Sequence, residues 1–348
     1  MKTFPSENNL DWLRLLFALQ VTLHHVTLHF EAYLPKIVKN FPGVPAFFFV
    51  SGFLVYASYQ NAPGRQYVRN RLLRIYPALI AVTLGGAAVT LVALGWAALA
   101  ERPGVYAGWI AAQLTLGQAY NPNLFRDVGV GVMNGSLWSI TVELIFYACV
   151  PLAALAEKRL RQAIWLLALV SFAIFAIGPR VFVEPVYRQK TLYDIIALTP
   201  LAWGWMFCVG ILAAKHFQTI RPYLRFAPLL IIPMALMIEF GSGLLFKPIG
   251  NRLGVVYFLC YAGLILWGAF WLPYRRLPFD LSYGAYVWHM PVVNLMLVLG
   301  FRSVWAGVVF TLLVAAVSWF LIERPALRLK RVSLREEASG HGGRATSG

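Results

Sequence analysis

Apolar residues run in blocks along nearly the whole chain, separated by short polar and basic interruptions. Neither the alternation of a half-buried strand nor the one-sided stripe of a soluble helix dominates. The blocks are uniformly hydrophobic over lengths near 18 residues or more, the pattern of helices whose surroundings are lipid. Read this way, the sequence predicts spans at 11–31, 43–60, 75–99, 134–156, 163–179, 195–214, 227–245, 253–272, 281–299 and 303–322. The stretch 104–119 is shorter and broken by polar residues, and is expected to be interfacial or re-entrant. The fold class that follows is an all-α polytopic membrane protein of about ten transmembrane helices.

Ten crossings put both termini on one side, and the basic residues supply an independent check. Clusters such as Arg65, Arg69, Arg71 and Arg74, or Lys158, Arg159 and Arg161, fall on the side of the termini. Twenty of the thirty Lys and Arg residues do so, against ten on the other side. Cytoplasmic loops carry that excess, so both termini are expected in the cytoplasm. The opening segment MKTFPSENNLDWLR has no apolar run followed by a small-residue cleavage site, so the first helix is expected to be retained. Residues 1–335 read as one membrane domain and 336–348 as a polar, glycine-rich disordered tail.

Composition sharpens this picture. Hydrophobic residues make up 59% and charged residues 13% of the 348, about half the charged share of soluble domains. The formal net charge of +16 would suit a nucleic-acid partner, but the basic residues sit between apolar blocks with no aromatic–basic stripe, so membrane topology accounts for them. Cys149, Cys208 and Cys260 are far apart within apolar segments and form no CxxC pair, so neither a disulfide framework nor a zinc site is expected.

Against this background, ionisable residues inside spans stand out, because each costs at least a few kcal/mol unless it is satisfied. The first span holds His24, His25 and His29 and begins with Asp11 and Arg14. Arg14 and His25 are eleven residues apart, about three turns plus 20°, so they share one face roughly 16 Å apart along the axis. A guanidinium can hold phosphate, and an imidazole three turns deeper can take a proton near neutral pH. The plainer readings are a snorkelling anchor for Arg14 and a histidine bonded to a neighbouring carbonyl. His25 and His29 have the i, i+4 spacing of metal ligands, but no third ligand accompanies them, and no metal is expected. Glu143 lies within NGSLWSITVELIFY beside Ser136, Ser139 and Thr141, as either a hydrogen-bond hub or a partner of a cation or imidazole. The segment RNRLLRIYP, with Arg69, Arg71 and Arg74, reads as a cationic loop before a proline-marked helix start, either a topology signal or the mouth for a polyphosphate. Glu323, before Arg324 and Pro325, reads as a helix-end ion-pair device.

Five matches taken in order, the last made of two segments, resemble the acyltransferase-3 family of membrane acyltransferases, over roughly residues 8–330. NNLDWLRLLFALQVTLHH carries Arg14 and His25. FPGVPAFFFVSGFLVY ends in Ser51, Gly52 and Phe53. RNRLLRIYPAL supplies Arg71, Arg74 and Pro77. SLWSITVELIFY holds Ser136, Trp138, Ser139 and Glu143. LSYGAYVWHMPV and LIERPALRL bring Ser282, Tyr283, His289, Pro291, Glu323 and Pro325. Many relatives continue into a soluble hydrolase-like domain, and a stand-alone membrane domain is expected here.

The resemblance implies an O-acyltransferase of the bacterial inner membrane. Its donor would be a cytoplasmic acyl-CoA, most simply acetyl-CoA, and its acceptor a glycan or glycolipid hydroxyl. Arg14, Arg71 and Arg74 would then bind the donor. His25 would act as general base or transient acyl carrier, with Glu143 supporting it. Ser51, Trp138, Ser139 and His289 would line the substrate path. The alternative is a glycolipid or polysaccharide transporter or flippase that lines its path with the same groups, for which paired broken helices would be the sign.

Overall fold

In the computed structural model of the protein, which describes residues 4–181 and 195–329, each of the ten apolar segments is helical. The principal helices are α1 (Leu10–His29), α2 (Gly43–Asn61), α3 (Arg65–Ala100), α4 (Pro103–Gln113), α5 (Trp138–Arg159) and α6 (Ala163–Val181). They continue as α7 (Pro200–Lys215), α8 (Phe217–Phe240), α9 (Val255–Phe270), α10 (Ser282–Val298) and α11 (Val304–Leu329). No strand occurs among the described residues. By length and composition, Lys36–Asn61, Arg65–Ala100, Gly135–Arg159, Phe217–Phe240 and Val304–Leu329 can each cross a membrane. The protein is therefore an all-α, multi-pass membrane protein. The expected tail 336–348 lies outside the described residues.

Three expectations about local structure need correction. The arginines of RNRLLRIYP are not in a loop, because α3 begins at Arg65, directly after Gly64 turns the chain with φ of 70°. Arginine is a good helix former, so the cationic segment extends the helix by three turns and Pro77 falls in its interior. At its other end α3 is broken by Gly95. Next, the segment read as a span from 227 starts earlier, and Arg221–Leu230 is wound as a 3-10 helix. Pro222 and Pro228 each remove an amide donor there, which disfavours regular α-helical bonding. Finally, Glu323 is not at a helix end. It closes a π-helical turn, Trp319–Glu323, and the helix runs on beyond it. Pro325 cannot donate to the carbonyl one turn back and its ring crowds that carbonyl, so the turn before it widens. Glu323 is buried and accepts from Ser318 Oγ at 3.1 Å, while Arg324 lies over the Phe320 ring.

With lipid on the outside, burial of apolar surface does little to bring these helices together, so close packing and buried polar bonds must do it. The closest approach is between α2 and α7. A Cβ on Gly52 would stand 1.9 Å from the Phe207 carbonyl oxygen, and one on Gly210 would stand 2.1 Å from that of Phe49. The two glycines let the backbones touch, and stacked Phe146 and Phe207 fill the space beside them.

The second key pairing is between α1 and α10. Thr22 Oγ1 reaches the Ala285 carbonyl at 3.5 Å, and Ala18, Ala285 and Val287 are fully buried. The start of α1 is tied down by Asn9. Its amide donates to the carbonyls of Gly268, Leu272 and Pro273 while its oxygen accepts from the Arg275 amide. Those bonds also position the turn that leads into α10.

Replacing Gly52 by valine should separate α2 from α7 or prevent assembly. A destabilisation of at least the ~1–3 kcal/mol typical of overpacking is expected, seen as a lower thermal midpoint of purified protein in nanodiscs, whereas Gly108→Ala, in α4 with open space around it and an ordinary helical backbone, should shift it far less.

Candidate active site

A cavity of about 420 Å³ opens between α1, α2, α3, α5 and α10. Its walls include Arg14, Arg71, Arg74, Ser51, Ser139 and Glu143, six of the nine residues singled out in the sequence. They converge because α1, α3 and α10 all begin at this end, while α2 and α11 finish there, contributing Ser58 and Leu327.

The three arginines are held differently. Arg74 pairs with Asp280 at 2.7 Å, and Arg14 reaches the same carboxylate oxygen at 3.4 Å and Asp11 at 3.5 Å. Burial alone would push the Asp280 carboxyl up. The guanidiniums of Arg74 and Arg14, with a hydrogen bond from Ser282, more than offset this and hold it well below the usual carboxylate range. One carboxylate therefore serves two cations, with the exposed Asp11 as a second partner of Arg14. Arg71 lies over the Tyr147 ring at 5.4 Å and donates to Ser58 Oγ at 3.2 Å; among the described residues it has no carboxylate partner.

Deeper in the cavity, Glu143 accepts from Ser51 Oγ at 3.2 Å and from the Tyr147 hydroxyl. Ser139 Oγ meets the Tyr286 hydroxyl at 2.5 Å. The Tyr286 ring packs edge-on against Phe47 and, 6.0 Å between centroids, against His289. His289 is fully buried, and its Nε2 lies 3.1 Å from His25 Nδ1, with the two rings stacked at 4.9 Å.

His25 Nδ1 is also 3.0 Å from the Val21 carbonyl. A carbonyl only accepts, so this contact favours the proton on Nδ1, shared between Val21 O and His289 Nε2, and leaves the lone pair of His25 on Nε2. In that tautomer His25 is arranged as a base.

Arg14 and His25 do share one face of α1. Both look toward α10, Arg14 to Asp280 at its start and His25 to His289 nine residues further along. Glu143 and His25 fall in different hydrogen-bonded groups. The neighbours of the His25 ring are His289 and the Val21 carbonyl, while Glu143, expected beside it, is engaged by Ser51 and by its own i+4 neighbour Tyr147. Trp138 is outside the cavity lining, packed against Phe48 and Trp203.

Sequence reasoning did not select Tyr147, Tyr286 or Asp280 for the site. The i, i+4 spacing from Glu143 to Tyr147 was available as a signal, as was the i, i+3 spacing from Tyr286 to His289. The pairing of Asp280 with two arginines more than 200 positions away was not.

An acyltransferase domain matches residues 7–323. The chain belongs to the acyltransferase-3 family. It is also 31% identical to nodulation protein 10 of Rhizobium leguminosarum bv. viciae, over 93% of this chain and 94% of that protein. No solved structure matches it. As a member of this family the protein is a membrane acyltransferase, and the arginine-rich cavity with the histidine pair beyond its inner end is the candidate centre of that chemistry.

Asp280→Ala should leave Arg74 without its counterion and Arg14 with only the exposed Asp11. Loss of one partner of such a pair costs about 3–5 kcal/mol, read as a lowered thermal midpoint. Because the folded carboxyl titrates below its unfolded value of about 3.9, its stabilisation is complete above that pH and fades as pH falls through and below it. Wild type should lose midpoint on acidification through that range, and Asp280→Asn should show a flatter profile.

Proposed function

We propose that the protein transfers an acyl group, most simply acetyl, from a cytoplasmic acyl-CoA to a hydroxyl of a glycan or glycolipid on the opposite side of a bacterial inner membrane. The observation that carries this reading is the grouping of Arg14, Arg71 and Arg74 around one cavity, with His25 three turns further along the same helix that supplies Arg14. A cavity with three cations and one carboxylate in its wall favours an anionic ligand, and guanidiniums match phosphate oxygens in fork geometry. The donor's phosphates would rest at the arginines and its thioester would point toward Tyr286 and the histidine pair.

In the reaction, Nε2 of His25 takes the proton of the acceptor hydroxyl as its oxygen bonds to the thioester carbonyl carbon. The carbon–sulfur bond breaks, and the departing thiolate receives that proton. The products are an O-acyl ester and free coenzyme A. His289 holds the imidazole in place, as a third group does in a triad. Ser139, Ser51 and Glu143 would contact the acyl-bearing end of the donor, and no metal takes part.

The topology proposed with this mechanism has ten crossings by residues 1–335 and both termini in the cytoplasm. It is supported by the membership of the cavity wall. Under that count the starts of the first, third and ninth spans and the ends of the second and tenth lie on the cytoplasmic side, and these ends supply Arg14, Arg74, Ser282, Ser58 and Leu327 to one cavity.

Purified protein in nanodiscs should release thiol from acetyl-CoA slowly even without acceptor, with water in place of the hydroxyl. His25→Ala should lower kcat by roughly 10²–10⁴-fold, the usual contribution of a general base, with its thermal midpoint retained. Arg71→Ala should act mainly on the KM for acetyl-CoA. Absence of turnover with both acetyl-CoA and succinyl-CoA would overturn the donor assignment.

A further inference from the structure

A groove of about 350 Å³ lies between α1 and α9. Leu16, Leu19 and Leu23 of α1 line it together with Val38, Phe41 and Tyr261, and Leu16 is 55% exposed, so the groove opens on the flank that faces lipid. Its two polar side chains are engaged inside the protein. Gln20 donates to the Val38 carbonyl at 3.0 Å and accepts from the Gly43 amide at 2.7 Å, and the Tyr261 hydroxyl donates to the Phe41 carbonyl at 3.4 Å. The surface that remains is apolar, suited to a hydrocarbon chain and without partners for water.

The groove has a charged end. From Leu16 to His24 is eight residues, about 12 Å along α1, close to the ~15 Å that makes half of a hydrocarbon core. His24 follows Gln20 by one turn and falls within about 20° of Phe17, which also lines the groove, so it stands on the groove face at the end remote from Arg14. Lys39 follows Val38 in the short turn Lys36–Lys39 and is near enough to His24 for their charges to interact. This turn is built into the fold, since the Tyr257 hydroxyl of α9 donates to the Asn40 carbonyl at 2.7 Å.

The surroundings of Lys39 are those of a membrane–water interface. Its ammonium lies over the Tyr33 ring at 6.0 Å, and Tyr33 and Ile37 are both largely exposed, as interfacial anchors are. Glu239 engages Lys36 at 3.4 Å, whereas Lys39 makes no ion pair among the described residues. An exposed lysine and an exposed histidine thus cap an apolar groove about one leaflet long.

We infer that this groove binds one anionic phospholipid, with an acyl chain along Leu16–Leu23 and the phosphate at Lys39 and His24. Length and charge together carry the assignment. The chain of a lipid in that leaflet matches the groove, and its headgroup supplies the anion that Lys39 lacks, whereas a zwitterionic headgroup would bring a cation of its own. The inference stands apart from the acyl-transfer reading. It also gives the lipid a hold on α1 itself, because the His24 ring lies edge-on to that of His25 with centroids 5.5 Å apart.

Native mass spectrometry of the full chain in detergent tests this, with phosphatidylglycerol and phosphatidylcholine of identical chains supplied in equal amounts. One phosphatidylglycerol should be retained about fivefold over phosphatidylcholine, the order expected for a lysine beside an anionic lipid. Lys39→Gln and His24→Gln should each bring that ratio toward one at an unchanged thermal midpoint. Leu19→Trp, whose indole fills the groove, should lower retention of both lipids. Glycerol 3-phosphate, which has the phosphate without the chains, should displace neither. Equal retention of the two lipids, a preference unchanged in either charge variant, full retention in a folded Leu19→Trp, or displacement by glycerol 3-phosphate would each overturn the assignment. The charge variants decide the matter even where the tryptophan variant does not fold.

Discussion

An arginine within a membrane protein keeps its charge and has to be satisfied, Arg71 by a ring face and a hydroxyl, Arg14 and Arg74 by a counterion. Asp280 answers for both. The carboxylate sits in the turn before α10, and the Asn9 bonds at the start of α1 hold that turn against the end of α9. From this one anchored ion pair the register of α1 against α10 follows, and with it the meeting of His25 and His289 further along. Were α10 to slip by a turn, the arginines would lose their counterion and the imidazoles would separate together.

That dependence explains why the site is divided in depth. At one end lie three guanidiniums and a single bridging carboxylate. In the middle, neutral hydroxyls dominate, with Glu143 engaged by Ser51 and Tyr147 and with Ser139 bonded to Tyr286. Beyond them stands an imidazole pair whose proton position follows from a backbone carbonyl. The sequence of environments, from cationic to neutral polar to imidazole, is a gradient along two parallel helices rather than a single cluster. Direct contact between Glu143 and His25 is not needed for it, since His289 already fills the place beside the imidazole.

The α2–α7 contact plays a different part. Gly52 and Gly210 bring two backbones together with no polar bond between their side chains. This fixes α2, and hence the Ser51 hydroxyl next to Gly52, against the rest of the bundle. The glycine of the SGF segment is thus accounted for by packing, and the serine beside it reaches Glu143 from a position set by that packing.

By itself, the sequence determined the membrane character, the helical class and the positions of the apolar segments, because hydropathy over some twenty residues is a local property that lipid reads directly. It also determined that Arg14 and His25 share a face, since the helical period alone decides that, and its ordered segments were enough to indicate the family. Helix ends were less legible: α3 took in the arginines, and the π turn carried α11 past Glu323, because charged and proline-bearing turns are settled by their neighbours as much as by local preference. Partnerships were decided only by the tertiary structure. Asp280 with Arg14 and Arg74, and His25 with His289, join residues more than 200 positions apart, and the turning of Glu143 toward Ser51 and Tyr147 depends on where α2 packs. A sequence states which side chains must find partners inside the bilayer; which partner each one finds depends on the packing of helices against one another.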